Sequence, residues 1–351
     1  MDKKVFIKNE LMNPDSDYKT IIKDPNLKYL QYVAFGGSHA YGTNTKNSDV
    51  DLRGFYMPYP NDILGVGDTK DSDRTYSETD TVFFSFYKFI KLLTQCNPNI
   101  VEFMGVRKQD VLYESPLAKQ IRENVEMFLS KRAFVTFAGY ATQQLRRLEN
   151  ALARDSYPQA EKENHILKSL EAEMLAANDV YKLFDKDNFI KLYLDDSLKE
   201  DYEQEIHMNL NLKHVPLRDF VSLRNSFSNM LKNYGKIRHR NNKKDEDHLY
   251  KHAMHLIRLY YMGIDILENH EIITYREKEH VLLMEIRHGA IPLDKIFDLQ
   301  RKLEIRLQEA RDKSTLPLNP DYDKINKFVI DVGLDFIRNE DKYVFDWKDV
   351  V

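Results

Sequence analysis

The sequence predicts an α+β protein, with a mixed sheet and helices over residues 1–115 followed by an all-α domain over residues 116–351. Two observations carry that expectation. The first hundred residues alternate short apolar segments with Gly, Pro, Asn and Asp, a rhythm of strands and turns. From about Ser115 onward, apolar residues recur at helical spacing in one segment after another. Hydrophobic residues make up 42% of 351, with 19 Phe and 21 Tyr, so the chain can bury a large core and is not of the disordered type.

Tyr29 to Gly36 reads as a strand, and Val50 to Pro58 as another, closed by Pro58 and Pro60. Asp80 to Ser85 (DTVFFS) is a β-rich run that passes into a helix over Phe86 to Gln95, where Phe86, Phe89, Ile90 and Leu93 share one face. Asn97-Pro98-Asn99 breaks that helix, and Ile100 to Val106 forms a further short element. Helical spacing then recurs over 117–129, 131–153, 159–184, 216–234, 246–269, 275–288, 294–313 and 321–338. Tyr157-Pro158, Gly235 and Gly289-Ala290-Ile291-Pro292 punctuate these segments, and Asn241 to Asp247 reads as an exposed loop.

Charge and cysteine usage narrow the function classes. With 52 basic against 56 acidic side chains, the net charge of −4 excludes a dedicated nucleic-acid coat but leaves room for a local basic cleft. Arg238, Arg240, Lys243 and Lys244 supply such a cluster, whereas Arg146 and Arg147 read as helix surface. Cys96 is the single cysteine, which excludes an internal disulfide and fits a reducing compartment. No apolar run reaches the length of a membrane span, and Met1-Asp2-Lys3-Lys4 leads into no signal-type core. The expectation is a soluble protein of the cytoplasm, or of the host cytoplasm if phage-encoded. Zinc spacing, a Walker loop, a dinucleotide fingerprint and a G-x-S-x-G elbow are all missing from the sequence.

The informative stretch is FGGSHAYGTNTKNSDVDLRGFY, residues 35–56. Gly36 and Gly37 follow a strand and let the backbone approach a ligand closely, and the Ser38 hydroxyl adds a donor for a phosphate oxygen. Ten residues separate Ser38 from Asp49, and Asp49-Val50-Asp51 opens the next strand. Period two puts Asp49 and Asp51 on one face, with Val50 and Leu52 toward the core. Two such carboxylates repel unless a cation sits between them, and a hard oxygen-binding ion, Mg²⁺ first and Mn²⁺ as a substitute, suits that arrangement. A lone Asp-x-Asp is common on surface strands; its coupling to strand and Gly-Gly-Ser is far more specific.

This combination resembles the signature of the DNA polymerase β-type nucleotidyltransferase superfamily. GSHAYGTNTKNSDVDLRGFY, DTVFFSFYKFIKLLTQCNPNIVEFM, KHAMHLIRLYYMGIDIL and IRHGAI are further similar to one bacterial and phage branch of it. That branch holds predicted nucleotidyltransferases, some placed in RNA repair pathways beside RNA ligases. The resemblance implies a polymerase β-like sheet domain, a glycine-serine loop on the triphosphate, two Mg²⁺ ions on paired aspartates, and an NTP as substrate.

The superfamily takes a third carboxylate from a later strand beside the Asp pair. Asp80 is assigned that place, with Glu78, on the same face by parity, as the fallback. Arg53 shares the face of the aspartates and either orients them through ion pairs or contacts phosphate. His39 and Tyr41 flank the glycine loop, within reach of a nucleotide, although His39 also suits a local capping role. In the helix near 248–268, Leu249, Ala253, Leu256, Tyr260, Ile264 and Leu267 make an apolar face, and Lys251, His255 and Arg258 fall opposite. Periodicity alone reads those three as a solvated face. The resemblance makes them donors for a triphosphate or for an acceptor's phosphates, within a helical domain that closes the active cleft.

The expected reaction is in-line attack of an acceptor hydroxyl on the α-phosphorus of an NTP, with Mg²⁺ on Asp49, Asp51 and Asp80 and pyrophosphate as the leaving group. An RNA end is the expected acceptor, on the strength of the branch's RNA repair association. A protein or small-molecule hydroxyl is the alternative, and a non-catalytic nucleotide sensor is a third reading. The sequence carries no signal for oligomeric state.

Overall fold

The computed structural model describes residues 3–45, 48–66, 72–156, 190–196, 204–210, 228 and 246–350. Its centre is a five-stranded mixed sheet in the order β3-β4-β2-β1-β5. The strands are β1 (Leu30–Phe35), β2 (Leu52–Tyr56), β3 (Asp73–Tyr76), β4 (Thr81–Ser85) and β5 (Val111–Glu114). β1 runs antiparallel to both β2 and β5, and β3 is antiparallel to β4, while β2 and β4 are parallel. The α+β class expected from the sequence is borne out.

Every residue of β1 is buried, as befits a strand flanked on both edges and covered on both faces. On one face Val33, Phe35, Leu52, Tyr56 and Phe83 pack with Phe6, Leu11 and Tyr18 from the start of the chain and Phe345 and Trp347 from its end. Toward the other face, Phe55 stacks on Phe89 at 4.5 Å, and Tyr32 donates its hydroxyl to Phe103 O at 2.8 Å. Those partners lie on α5 (Phe86–Thr94) and α6 (Pro98–Met104). Ser85 and Asn97 cap the two helices, and Pro98 starts the second from the position where its missing N–H does no harm.

The remaining helices are α1 (Lys3–Phe6), α2 (Lys19–Ile22), α3 (Gly37–Tyr41), α4 (Pro60–Leu64), α7 (Pro116–Glu123), α8 (Arg132–Ser156), α9 (Glu246–Asn269), α10 (His280–Arg287), α11 (Leu293–Lys313) and α12 (Tyr322–Arg338). The helices expected over 131–153, 246–269, 294–313 and 321–338 are present at nearly those bounds. Those expected over 159–184 and 216–234 lie outside the described residues, residue 228 apart, as do Arg238, Arg240, Lys243 and Lys244.

Two differences from the sequence reading have physical reasons. A β-hairpin, β6 (Ile190–Asp196) with β7 (Gln204–Leu210), lies within the half expected to be all-α. Its strands alternate with period two: Ile190, Leu192 and Leu194 pair with Leu210, Met208 and Ile206, and Tyr193 stacks on His207 at 5.8 Å, a short signal lying between longer stretches of helical spacing. The compact units also divide elsewhere than residue 115: residues 1–145 with 250–351 form one, and 146–249 the other. The chain's end explains this. Phe345 N–H bonds to Lys28 O at 2.8 Å, and Gln31 donates to Tyr343 O at 3.0 Å, so the last residues complete the sheet's own core. Asp73 opens β3 and pairs with Lys88 at 2.7 Å.

Candidate active site

Strand direction gathers the site at one end of the sheet's central strands. β1 ends where its antiparallel neighbour β2 begins, and β4, parallel to β2, begins beside it. The residues just past β1 and just before β2 and β4 therefore meet: Gly36 to Ser38, Asp51, and Asp80. Gly36 N–H bonds to Asp51 O at 2.8 Å, and Leu52 N–H reaches Thr81 Oγ1 at 3.4 Å.

The glycines are needed for that closeness. Gly37 sits at φ +51°, and a Cβ there would collide with Asp51 Oδ2. A Cβ on Gly36 would stand 2.6 Å from Arg53 Cγ. α3 is thus pressed against the aspartate strand, with Ser38 in its first turn. The helix ends at Gly42, whose φ of +72° is a left-handed cap.

Asp49 and Asp51 precede β2 rather than lying within it; Asp49 is exposed and Asp51 half-buried. The Asp51 carboxyl is pushed up to about 6 by burial and by the negative charges of Asp80 and Asp49, against the pull of Arg53 and Lys251. Those neighbours place Asp49, Asp51, Asp80, Arg53 and Lys251 in one electrostatic neighbourhood. Asp80 is exposed at φ +45° and bound by Arg53, through Nη1 to its carbonyl and Nη2 to its carboxylate at 3.5 Å. Glu78 is exposed in the short turn Ser77–Thr79. His39 is buried, which holds its imidazole pKa below the ordinary value.

Lys251, His255 and Arg258 do form a line along α9, but it runs inward. Lys251 is exposed near Asp51, and His255 meets the edge of the Tyr41 ring at 5.9 Å. Arg258 is buried at 4% exposure, with Nη1 3.2 Å from Glu102 Oε2 and its guanidinium stacked 3.5 Å from the Tyr41 ring centroid. The expectation of a face opposite the apolar stripe is corrected: α9 is buried on nearly every side, and Arg258 is occupied by a carboxylate rather than free for phosphate. Arg147 is exposed, as expected of helix surface.

Glu102 is the group the sequence reading missed. Its two oxygens each lie 2.8 Å from the Tyr41 hydroxyl, and Thr274 Oγ1 bonds to its backbone carbonyl at 2.5 Å. A signal for it existed: Glu102 and Arg258 are each lone charges inside apolar runs, IVEFM and LIRLYY, and buried charges come paired.

The described residues hold no ready group of three or more metal-ligating side chains. Asp80 is paired with Arg53. The donor set nonetheless fits a divalent ion, since its oxygen ligands suit Mg²⁺ and the crowding that raises Asp51 is what a cation relieves.

Comparison with known proteins agrees with this geometry. Residues 16–177 match the RNA repair pathway DNA polymerase beta family (RlaP). The matched segment begins ahead of β1 and contains Gly36 to Ser38, Asp49, Asp51, Asp80 and Glu102. The polymerase β-type resemblance and the RNA repair association read from the sequence are thereby borne out. No curated protein and no solved structure matches the chain. None of the described helices is long and apolar enough to cross a membrane.

Proposed function

We propose that the protein is a Mg²⁺-dependent nucleotidyltransferase that moves an NMP from an NTP to the hydroxyl of an RNA end, releasing pyrophosphate. The observation that carries this reading is the end of the central strands, where the glycine-serine turn touches Asp51 and β4 begins beside it just after Asp80. The family match over residues 16–177 supports the reaction type and the choice of RNA.

Gly36 and Gly37 let the turn sit directly against Asp51, and Ser38 offers its hydroxyl to a phosphate oxygen. Lys251 adds a cation near enough to act on the Asp51 carboxyl, where triphosphate charge needs compensation. Asp49, Asp51 and Asp80 would hold the metal, which when bound neutralises developing charge and lowers the acceptor hydroxyl's pKa. Arg53, which holds Asp80, is a cation that could pair with phosphate if Asp80 bound the metal instead. No covalent intermediate with the protein is required.

The test is incubation with labelled NTPs, total RNA and Mg²⁺. Label is expected in RNA, and Asp49→Asn and Asp51→Asn should each lower its transfer by several orders of magnitude. Label in a protein band or in a small product would reassign the acceptor. Undiminished transfer by either variant would overturn the site.

A further inference from the structure

We infer that Glu102 is a positioning residue for the nucleotide site: one buried carboxylate holds Tyr41 of α3 and Arg258 of α9, and so fixes Ser38 and Lys251 around Asp51. This deepens the reading above and rests on it.

α3 spans five residues, too few to keep its own orientation. Its last residue is Tyr41, and Ser38, three residues earlier, is the neighbour of Tyr41 on the same helix face. Whatever holds Tyr41 therefore sets the rotation at which Ser38 meets a phosphate. The holder is Glu102, at 7% exposure, which takes the one Tyr41 proton between two oxygens at 2.8 Å each. Beyond Tyr41, His280 Nε2 lies 2.9 Å from Gly42 O and pins the helix end.

The same carboxylate fixes α9. Arg258 bonds to Glu102 while its guanidinium carbon sits 3.5 Å over the Tyr41 ring, so the three side chains hold one another. Lys251 is seven residues away, two turns along the same side of α9. Seating Arg258 thus sets where Lys251 emerges beside Asp51.

A buried ion pair is weak evidence of stabilisation, because desolvation offsets most of the attraction. This cluster bears that mark, since Arg258 Nε is buried without a partner. An apolar trio would fill the same space without that penalty. What it would lose is direction, because a carboxylate with two donors admits one arrangement and a leucine admits several.

That contrast supplies the experiment. Tyr41→Phe, Glu102→Leu and Arg258→Met are combined in the full-length chain, so no charge is left uncompensated. Thermal unfolding and the affinities for ATP and AMP are measured with Mg²⁺ present. The expected result is a melting temperature equal to or above the parent's, ATP binding weakened roughly ten-fold or more, and AMP binding unchanged. Parent-like ATP affinity in the folded triple variant overturns the inference while leaving the proposed function standing. A parent that binds none of the four NTPs overturns both. If the triple variant does not fold, Tyr41→Phe alone carries the test, with an expected loss of about 2- to 10-fold for ATP only.

Discussion

At Asp51 the fold places a carboxylate where burial, Asp80 and Asp49 all oppose ionisation, which leaves its pKa near 6. An acid whose folded pKa is raised destabilises the fold above that pKa and ceases to do so as it protonates. Asp51→Asn should therefore unfold at a higher temperature than the parent at pH 7.5, even as it abolishes transfer. Added Mg²⁺ should stabilise the parent, by about 2.7 kcal/mol at roughly 100 times its Kd, and the variant much less. A destabilised Asp51→Asn, or equal Mg²⁺ shifts in both, would remove the carboxylate from the ligand set. Histidine works in the opposite sense. Burial lowers the pKa of His39 and His255, the latter aided by Arg258 and Lys251. Below the ordinary histidine pKa of about 6.5 the unfolded chain binds the extra protons, so stability falls with pH through that window. In the Asp51→Asn background, free of the opposing carboxylate, the urea midpoint should drop between pH 7.5 and 5.5. Replacing both histidines by Gln should flatten that slope, and an unchanged slope would assign it to other groups.

Elements were legible in the sequence in proportion to how far local pattern reports tertiary surroundings. β1, β2 and β4 were readable because long apolar runs stand between clear breakers. β3 and β5 are four residues each, at the sheet's two edges, and too short for a period to show. In α9 the bounds were readable but the faces were not. Three polar residues at i, i+4 and i+7 look the same whether they meet water or a buried carboxylate on another element. The misreading reverses a stability expectation. Treated as solvated, Arg258→Ala would shift stability by no more than about 0.5 kcal/mol. Paired with Glu102, it should cost about 3–5 kcal/mol, since the carboxylate is left buried with Tyr41 as its remaining partner. Lys251→Ala, at an exposed position, should stay near the parent. Urea unfolding of the two variants checks both, and equal midpoints would return α9 to a solvated face.

For the whole molecule, the change of texture near Ser115 was visible, but it marks where helices take over and not where a core ends. Composition records local structure, whereas a domain is defined by which surfaces close on one another. Here the closure comes from more than two hundred residues away in the chain. Tyr113 of β5 meets Phe345 at 4.6 Å, Phe345 meets Trp347 at 5.0 Å, and Tyr29 meets Phe336 of α12 at 5.1 Å. Trp347 and Phe345 belong to the same buried cluster as Val33 and Phe35 of β1. The candidate site follows the last residue of β1, and the end of the chain supports that strand from its other end, where Gln31 donates to Tyr343 O. A fragment of residues 1–115 would expose that cluster along with the faces covered by α9 and α12. It should show no cooperative urea transition by far-UV circular dichroism. In the full-length chain Trp347→Ala should lower stability by about 3–5 kcal/mol, the usual effect of emptying a large buried aromatic site. Transfer activity of the folded fraction should be unaffected at low temperature, because the tryptophan lies in the core and not among the Gly36–Ser38, Asp51 and Asp80 residues. A cooperative transition in the fragment, with nucleotide binding intact, would instead restore a self-sufficient domain ending near residue 115.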